Sequence, residues 1–237
     1  MDHQLKKVIE KIINKTLREK VEAFLENPTI EIDGKIYKGL PLETAPAAVT
    51  RHHNYPGGFI QHAVSVTNIA LGLCEIIRNV YGGKVNKDLV IAGAILHDIF
   101  KPLTYIEREN GAYGMSPLAE RLDHVTLGVA ELVQRGFSLD LVHIICAHMG
   151  WQNGPIGPRT TEALVVHLAD MTDSRLNGEV LRAAQYLLRD SAGAQLSRLT
   201  ATEAFEIVNT KTVLGWGGVP KALEKIRKQR QKASQNR

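Results

Sequence analysis

Cysteine is almost absent. Two residues in 237, Cys74 and Cys146, supply neither a disulfide framework nor a thiolate cluster. Both fall within apolar helical patterns, where a buried free thiol is a more ordinary reading than a disulfide or a metal pair. Long apolar runs are missing too. The longest uninterrupted one, Leu89 to Leu96, spans eight residues including Gly93, far short of the roughly 18 that suggest a membrane span. No transmembrane helix is expected, and no membrane partner. No Walker loop and no dinucleotide glycine fingerprint occurs, so ATP-driven and hydride chemistry have no support. Met1 to Lys7 leads into a charged amphipathic segment instead of an apolar targeting region, which favours a cytoplasmic protein over a secreted one.

The remaining composition is that of a folded globular chain: 44% hydrophobic and 23% charged. The net charge of +4 is unevenly spread. Lys221 to Arg237 holds seven basic residues and one acidic, a local +6 that leaves residues 1–220 at −2. A basic terminal tail on a slightly acidic body reads as a solvated helix end, so a nucleic-acid partner is not favoured. A homo-oligomer is compatible with this composition.

Apolar residues from Leu5 to Leu25 repeat at three- and four-residue steps and predict one long amphipathic helix ending before Asn27-Pro28. Thr29–Ile32 and Lys35–Tyr37 flank Asp33-Gly34, the signature of a hairpin with a type I′ turn. Further helices are expected at about 58–80, 87–99, 117–135, 138–149, 161–173, 178–190, 202–213 and 219–232. A second hairpin is expected from Tyr105 to Met115 around Asn110-Gly111. The fold class is therefore all-α, or mainly α: a helical bundle with one or two small peripheral β-hairpins. We divide the chain into an N-terminal helix and hairpin extension (1–50), a core (51–176), and C-terminal helices completing the same domain and ending in the basic tail (177–237).

Five of the nine histidines lie on or beside apolar helix faces. His62 shares a stripe with Phe59, Val66 and Ile69; His97 lies above Val90, Gly93 and Ala94; His148 follows Leu141, Ile144 and Ile145. His124 precedes Leu127 and Gly128, and His167 stands three residues before Asp170, on the same face. Asp170 faces inward on the stripe of Ala163 and Val166, and Asp98 adjoins His97 at a helix end. A buried carboxylate must be paired, hydrogen-bonded or metal-bound. Inward imidazoles and carboxylates from five successive helices need a common counter-charge, and almost all lysines and arginines fall on polar faces. Divalent cations supply it. Mixed nitrogen and oxygen ligation without thiolates suits Fe, Mn, Zn, Ni or Co better than Ca, and six side chains are enough for two ions sharing a carboxylate.

The order His62, His97-Asp98, His124, His148, Asp170 resembles that of the HD superfamily of metal-dependent phosphohydrolases. Gly57 to His62 resembles the family's opening helix, Leu96-His97-Asp98-Ile99 its central motif, and Glu162 to Asp170 its closing helix. The resemblance covers roughly Arg51 to Arg175. It implies that His62, His97, Asp98 and Asp170 hold one metal, while Asp98 bridges to a second held by His124 and His148. One departure is Phe100, where a sub-branch with a following lysine has glycine; Lys101 is retained as a candidate phosphate contact.

Other candidates lie in loops. Arg51, His52 and His53 precede the Pro56-Gly57-Gly58 turn, while Trp151, Gln152, Asn153 and Arg159 lie on the Gly/Pro-rich segment after His148. We take Asp98 and Lys101 as catalytic, and Arg51, His52, His53, Lys101, Trp151 and Arg159 as substrate-binding. Asp173 and Arg175 follow Asp170 closely and read equally as part of the site or as helix-end charges. One or two divalent ions are expected, Fe(II) or Mn(II) ahead of Zn, Ni, Co or Mg. The resemblance implies hydrolysis of a small phosphoester, a cyclic phosphate foremost, by a metal-activated hydroxide. The competing readings are a nucleotidase-like phosphomonoesterase, a di-iron oxygenase, and a nucleic-acid-binding regulatory module in which the core is only structural.

Overall fold

Asp2 caps the first helix, α1 (His3–Ile9), by accepting from the backbone N–H groups of Gln4 and Leu5. The chain, described over residues 1–235 by a computed structural model, does not continue as the single helix its periodicity predicts. It breaks over residues 10–14, and Asn14 caps a second helix, α2 (Lys15–Glu26). The cause is tertiary: Asp88 accepts the N–H groups of Ile13 and Asn14 at 3.0 and 2.8 Å, while Ile12 is fully buried beside the break. Strands β1 (Thr29–Ile32) and β2 (Lys35–Lys38) pair antiparallel, Ile32 opposite Lys35, around Asp33 and Gly34 at φ 53° and 72°. Positive φ at both turn residues is what a type I′ turn requires.

The helices that follow are α3 (Gly58–Asn79), α4 (Lys87–Leu96) and the single turn α5 (Lys101–Thr104). Strands β3 (Tyr105–Glu107) and β4 (Tyr113–Met115) form the second hairpin. The helix expected over 117–135 is divided into a 3₁₀ turn (Pro117–Glu120) and α6 (His124–Gln134), because Asp123 caps a new start by accepting from Thr126 N–H. Then come α7 (Leu139–Ala147), the short α8 (Gly150–Asn153), and α9 (Thr161–Ala192). Last are α10 (Ala201–Leu214) and α11 (Gly218–Gln235). Asn236 and Arg237, the end of the basic tail, lie outside the described residues.

The two helices expected over 161–190 are one. Gly178 and the polar run Thr172 to Arg175 suggest a break, yet Asp173 and Asn177 are buried polar residues facing inward from a continuous helix. Gly178 is where the Arg51–His52 backbone crosses α9, with a Cβ position 3.7 Å from Arg51 O.

Helix α3 is long and apolar enough, by length and composition, to cross a membrane, with a mean hydropathy of 1.4 over its most apolar window. Isolated polar residues break its apolar runs, yet the mean over the window stays high. Here it is a central helix packed on α4 and α9, with His62, Val66 and Ala70 fully buried. One apolar cluster joins α1–α4, α6, α7 and the first half of α9. A second joins Tyr55, the later half of α9, α10 and α11. Gly93 sets the approach of α4, α7 and α9, since a Cβ there would meet Ile144 Cγ2 at 2.5 Å. That contact lies one turn before His97.

The second cluster is locked by Glu203, which completes a capping box with Thr200 and accepts from Arg230 Nε and Nη2 at 2.6 and 2.7 Å. Burial would raise the Glu203 pKa; the Arg230 and Thr200 bonds outweigh it and hold it below 4.5. Stability from a lowered carboxyl pKa is present above the unfolded value and is lost as pH falls through the folded one. Glu203→Gln is therefore expected to destabilise the protein by about 1–2 kcal/mol at pH 7. In thermal melts the gap from wild type should narrow as pH drops below 4.5.

Candidate metal centre

Two helix ends use the same local device. His97 is the C-cap of α4 and His148 that of α7, and each folds its ring back on the last free turn. Nδ1–H of His97 donates to Ala94 O at 2.9 Å, and that of His148 to Ile145 O at 2.7 Å. In both rings Nε2 is thereby left without a proton and turned inward. His62 reaches the same state from the second turn of α3, its Nδ1–H donating to Asp173 Oδ2 at 2.7 Å. His62 and His148 are fully buried, and His97 and Asp98 are 1% exposed.

Asp98, in the turn after α4, stands between two groups. Its Oδ2 lies 3.3 Å from His97 Nε2 and 3.5 Å from His62 Nε2, and Asp170 Oδ1 is 3.2 Å from His62 Nε2. Its Oδ1 lies 3.3 Å from His124 Nε2 and 3.5 Å from His148 Nε2. One carboxylate thus presents a separate oxygen to each histidine pair. All six residues read from the sequence as metal ligands meet here.

The donor chemistry fits divalent cations. Among the described residues, Asp98 Oδ1 and Oδ2, His124 Nε2 and His148 Nε2 are buried polar atoms with no hydrogen bond of acceptable geometry. Four such atoms facing one another would cost several kcal/mol unless a cation joined them. Among the described residues three groups, His62–His97–Asp98, Asp98–His124–His148 and His52–His53–His62, each bring their ligand atoms within 4.8 Å of one another, and Asp98 joins the first two.

Lys101 has its Nζ 2.5 Å from Asp98 Oδ2. Its closeness without bond geometry makes it a Coulombic partner, not a full replacement for a cation. Burial lowers the Lys101 pKa, but Asp98, Tyr105 and Asp170 outweigh it and hold it above the ordinary lysine value. Burial likewise opposes ionisation of Asp98, and His97 and Lys101 override it to keep the carboxyl well below its usual range. Phe100 does not displace Lys101: its ring is buried against Phe24, with centroids 5.6 Å apart.

A cavity of about 460 Å³ opens onto this centre, lined by His52, Lys101, His148, Trp151, His167 and Asp170 among others. Trp151 is 63% exposed at its mouth and stands edge-on to His167, whose Nδ1–H donates to His148 O. Burial is the main cause that pushes His52 down to about 4, and the Lys101 charge adds to it. Burial pushes His53 down to about 3, although Asp173 pulls it up.

Three expected substrate residues do not line this cavity, and the first, His53, is 2% exposed with its backbone N–H bonded to Asn177. Arg159 uses its backbone N–H on His143 Nε2 at 2.9 Å, and its side chain is exposed before α9. Arg51 is exposed at φ 73° and meets α9 through its carbonyl. Neither lines the cavity. Of the two readings of Asp173, that of a helix-end charge is overturned, since it is 3% exposed in mid-helix and bonded to His62. Asp170, Asp173 and Asn177 at three- and four-residue spacing carried that signal, as did Ser65 three residues after His62.

Comparison with known proteins agrees with the geometry. The HD domain family matches residues 59–175. A dihydroneopterin 2′,3′-cyclic phosphate phosphodiesterase of Methanocaldococcus jannaschii is 43% identical over 187 residues, covering 79% of this chain and 74% of the relative. The 3′-5′ exoribonuclease YhaM of Bacillus subtilis is 30% identical over 56% of this chain, and that of Oceanobacillus iheyensis 31% over 57%. The chain spans only 43% and 44% of those two proteins. No solved structure matches significantly.

Asp98→Asn, which keeps shape and removes charge, is expected to lower affinity for divalent metal by more than about 100-fold, beyond the usual loss of an outer partner. Helix content by circular dichroism should be retained; elemental analysis showing wild-type metal content would contradict the bridging geometry. By its matched core and its histidine–aspartate centre, the chain belongs to the HD domain family and is a metal-dependent hydrolase.

Proposed function

We propose that this protein is a phosphodiesterase that opens a small 2′,3′-cyclic phosphate, with dihydroneopterin 2′,3′-cyclic phosphate as the substrate and a place in pterin biosynthesis. The observation that carries the reading is Asp98, whose two buried oxygens face separate histidine pairs. The cyclic phosphodiesterase named above supports the substrate choice, being similar across most of both chains. The cavity supports it too, because about 460 Å³ suits one small molecule.

In this reading His62, His97, Asp98 and Asp170 hold one divalent ion, and Asp98, His124 and His148 the other. Iron(II) or manganese(II) suits the mixture of imidazole and carboxylate donors, which has no thiolate. Such a pair, when bound, supplies Lewis acidity and a water acidified toward neutral pH.

The chain's own groups do the rest. Lys101, its side chain 13% exposed, places a positive charge on the cavity wall, where it attracts the anionic phosphoryl group and offsets charge that grows during attack. His52, with its pKa near 4, is neutral at pH 7 and lines the same cavity as a hydrogen-bonding group without charge. His53 is buried behind it, with its backbone N–H held by Asn177 Oδ1 at 2.8 Å. Trp151 offers an exposed ring at the mouth against which a planar heterocycle can stack. Opening a cyclic diester makes modest demands on a general acid, since the leaving alkoxide stays tethered to the product. Residues 51–176 form the catalytic core in this proposal, with 1–50 and 177–237 completing the same domain in the cytoplasm.

The test is turnover of a 2′,3′-cyclic neopterin phosphate beside a 2′,3′-cyclic nucleotide, bis(p-nitrophenyl) phosphate and a phosphomonoester, each with Fe(II), Mn(II) or chelator. Cyclic diesters should be turned over fastest, and chelator should abolish the reaction. Turnover of the monoester alone would replace this reading with a nucleotidase-like phosphatase. Lys101→Met should lower kcat/KM for the cyclic diester by roughly 10²-fold or more, the scale of losing one preorganised electrostatic group.

A further inference from the structure

A neutral imidazole has one N–H, so a histidine lending Nε2 to a metal must carry its proton on Nδ1. In a fully buried ring that N–H needs an acceptor. His97 and His148 find theirs at helix C-termini, where carbonyls are free. His62 has no such option. It sits inside α3, where the carbonyls three and four residues back lie within the helical ladder. Its acceptor comes instead from 111 residues away, on α9: Asp173 Oδ2 at 2.7 Å.

Asp173 is itself held in place. Its Oδ1 accepts from Ser65 Oγ at 2.5 Å, and Ser65 lies one turn beyond His62 on α3. His53 Nε2 lies 3.6 Å from Oδ2, and Asn177, one turn along α9, accepts from His53 N–H at 2.8 Å. His53 has φ 43° and Arg51 φ 73°, so this backbone is strained and α9 fixes it. The same helix therefore sets both His62 and the segment that brings His52 to the cavity.

Resting on the ligand assignment of the preceding section, we propose that Asp173 is a positioning residue for the metal half-site of His62. It fixes the Nδ1–H tautomer of His62, and its charge strengthens Nε2 as a donor. The other half-site, built on His124 and His148, has a backbone carbonyl behind His148 and takes nothing from Asp173. Loss of the Asp173 charge therefore weakens one half-site and spares the other. An asparagine can also turn its NH₂ toward His62, which forces the opposite tautomer and points an N–H at the metal position.

Metal-free full-length protein would be titrated with Co(II), followed by its d–d absorption, with His124→Ala used to identify which binding step belongs to which half. In Asp173→Asn the Kd of the His62 step is expected to rise about 10–100-fold, the usual cost of losing an outer carboxylate. The other step should stay within a few-fold. In zinc-loaded, ¹⁵N-histidine-labelled protein, the His62 ring nitrogens should depart from the Nδ1–H pattern. A Kd within about twofold of wild type, or an equal loss in both steps, would overturn the proposal. Should Asp173→Asn fail to fold, Ser65→Ala takes its place: a selective loss of a few-fold is expected from the removed hydrogen bond, and an unchanged His62 step overturns the idea. Wild-type protein that took up no cobalt would defeat the ligand assignment itself, an outcome distinct from either.

Discussion

The carboxylate of Asp98 is the group on which the rest of the site depends. It is 1% exposed, it has a histidine pair on each side, and its nearest formal cation is Lys101. Burying that charge is costly, and only a dense arrangement of compensating groups makes it tolerable. The surrounding fold supplies them from several elements at once: α3 brings His62, the end of α4 brings His97, α6 begins with His124, α7 ends with His148, and α9 brings Asp170. Each of these helices has an apolar face in the same cluster, so the packing that forms the core also closes the polar centre.

Helix ends matter more than helix middles in this arrangement. Asp98 follows the end of α4, His97 and His148 are C-caps, and His124 is the first residue of α6. Free carbonyls at those C-termini give two rings a hydrogen-bond acceptor and leave their Nε2 atoms for the centre. Where a histidine lies within a helix, as His62 does, a distant carboxylate takes over that role. The long α9 joins the two apolar clusters, contributing Asp170 to the centre, Asp173 behind His62, and Asn177 beneath His53. Sequence far from the family's matched segment is thus coupled to it, because α10 and α11 brace the later half of the same helix.

Much of this was legible in the residues alone. The spacing of inward-facing polar residues on apolar stripes marked all six members of the centre, since few physical reasons bring imidazoles and carboxylates to helix faces that are otherwise Val, Ile and Ala. Both hairpins were legible as well, because Asp33-Gly34 and Asn110-Gly111 favour tight turns through local backbone preference. What depends on neighbours in sequence, namely caps, turns and periodicity, can be read without knowing the fold.

What the tertiary structure decided were the contacts between residues far apart in the chain. Asp88 breaks the predicted first helix by accepting N–H groups 74 and 75 residues away, and the N-cap residue Asn14 is a local trace of that break too weak to outweigh the continuing apolar period. Asp173 read equally as a helix-end charge until the continuity of α9 carried it to His62. Arg51 and Arg159 had suitable chemistry in suitable loops, yet the cavity opens elsewhere, and Lys101 is the cation that reaches it. Residue type and periodicity determined which groups face inward. Which of those groups meet was fixed only when the helices packed, because that depends on crossing geometry, on the close approach allowed by Gly93, and on pairings more than a hundred residues long.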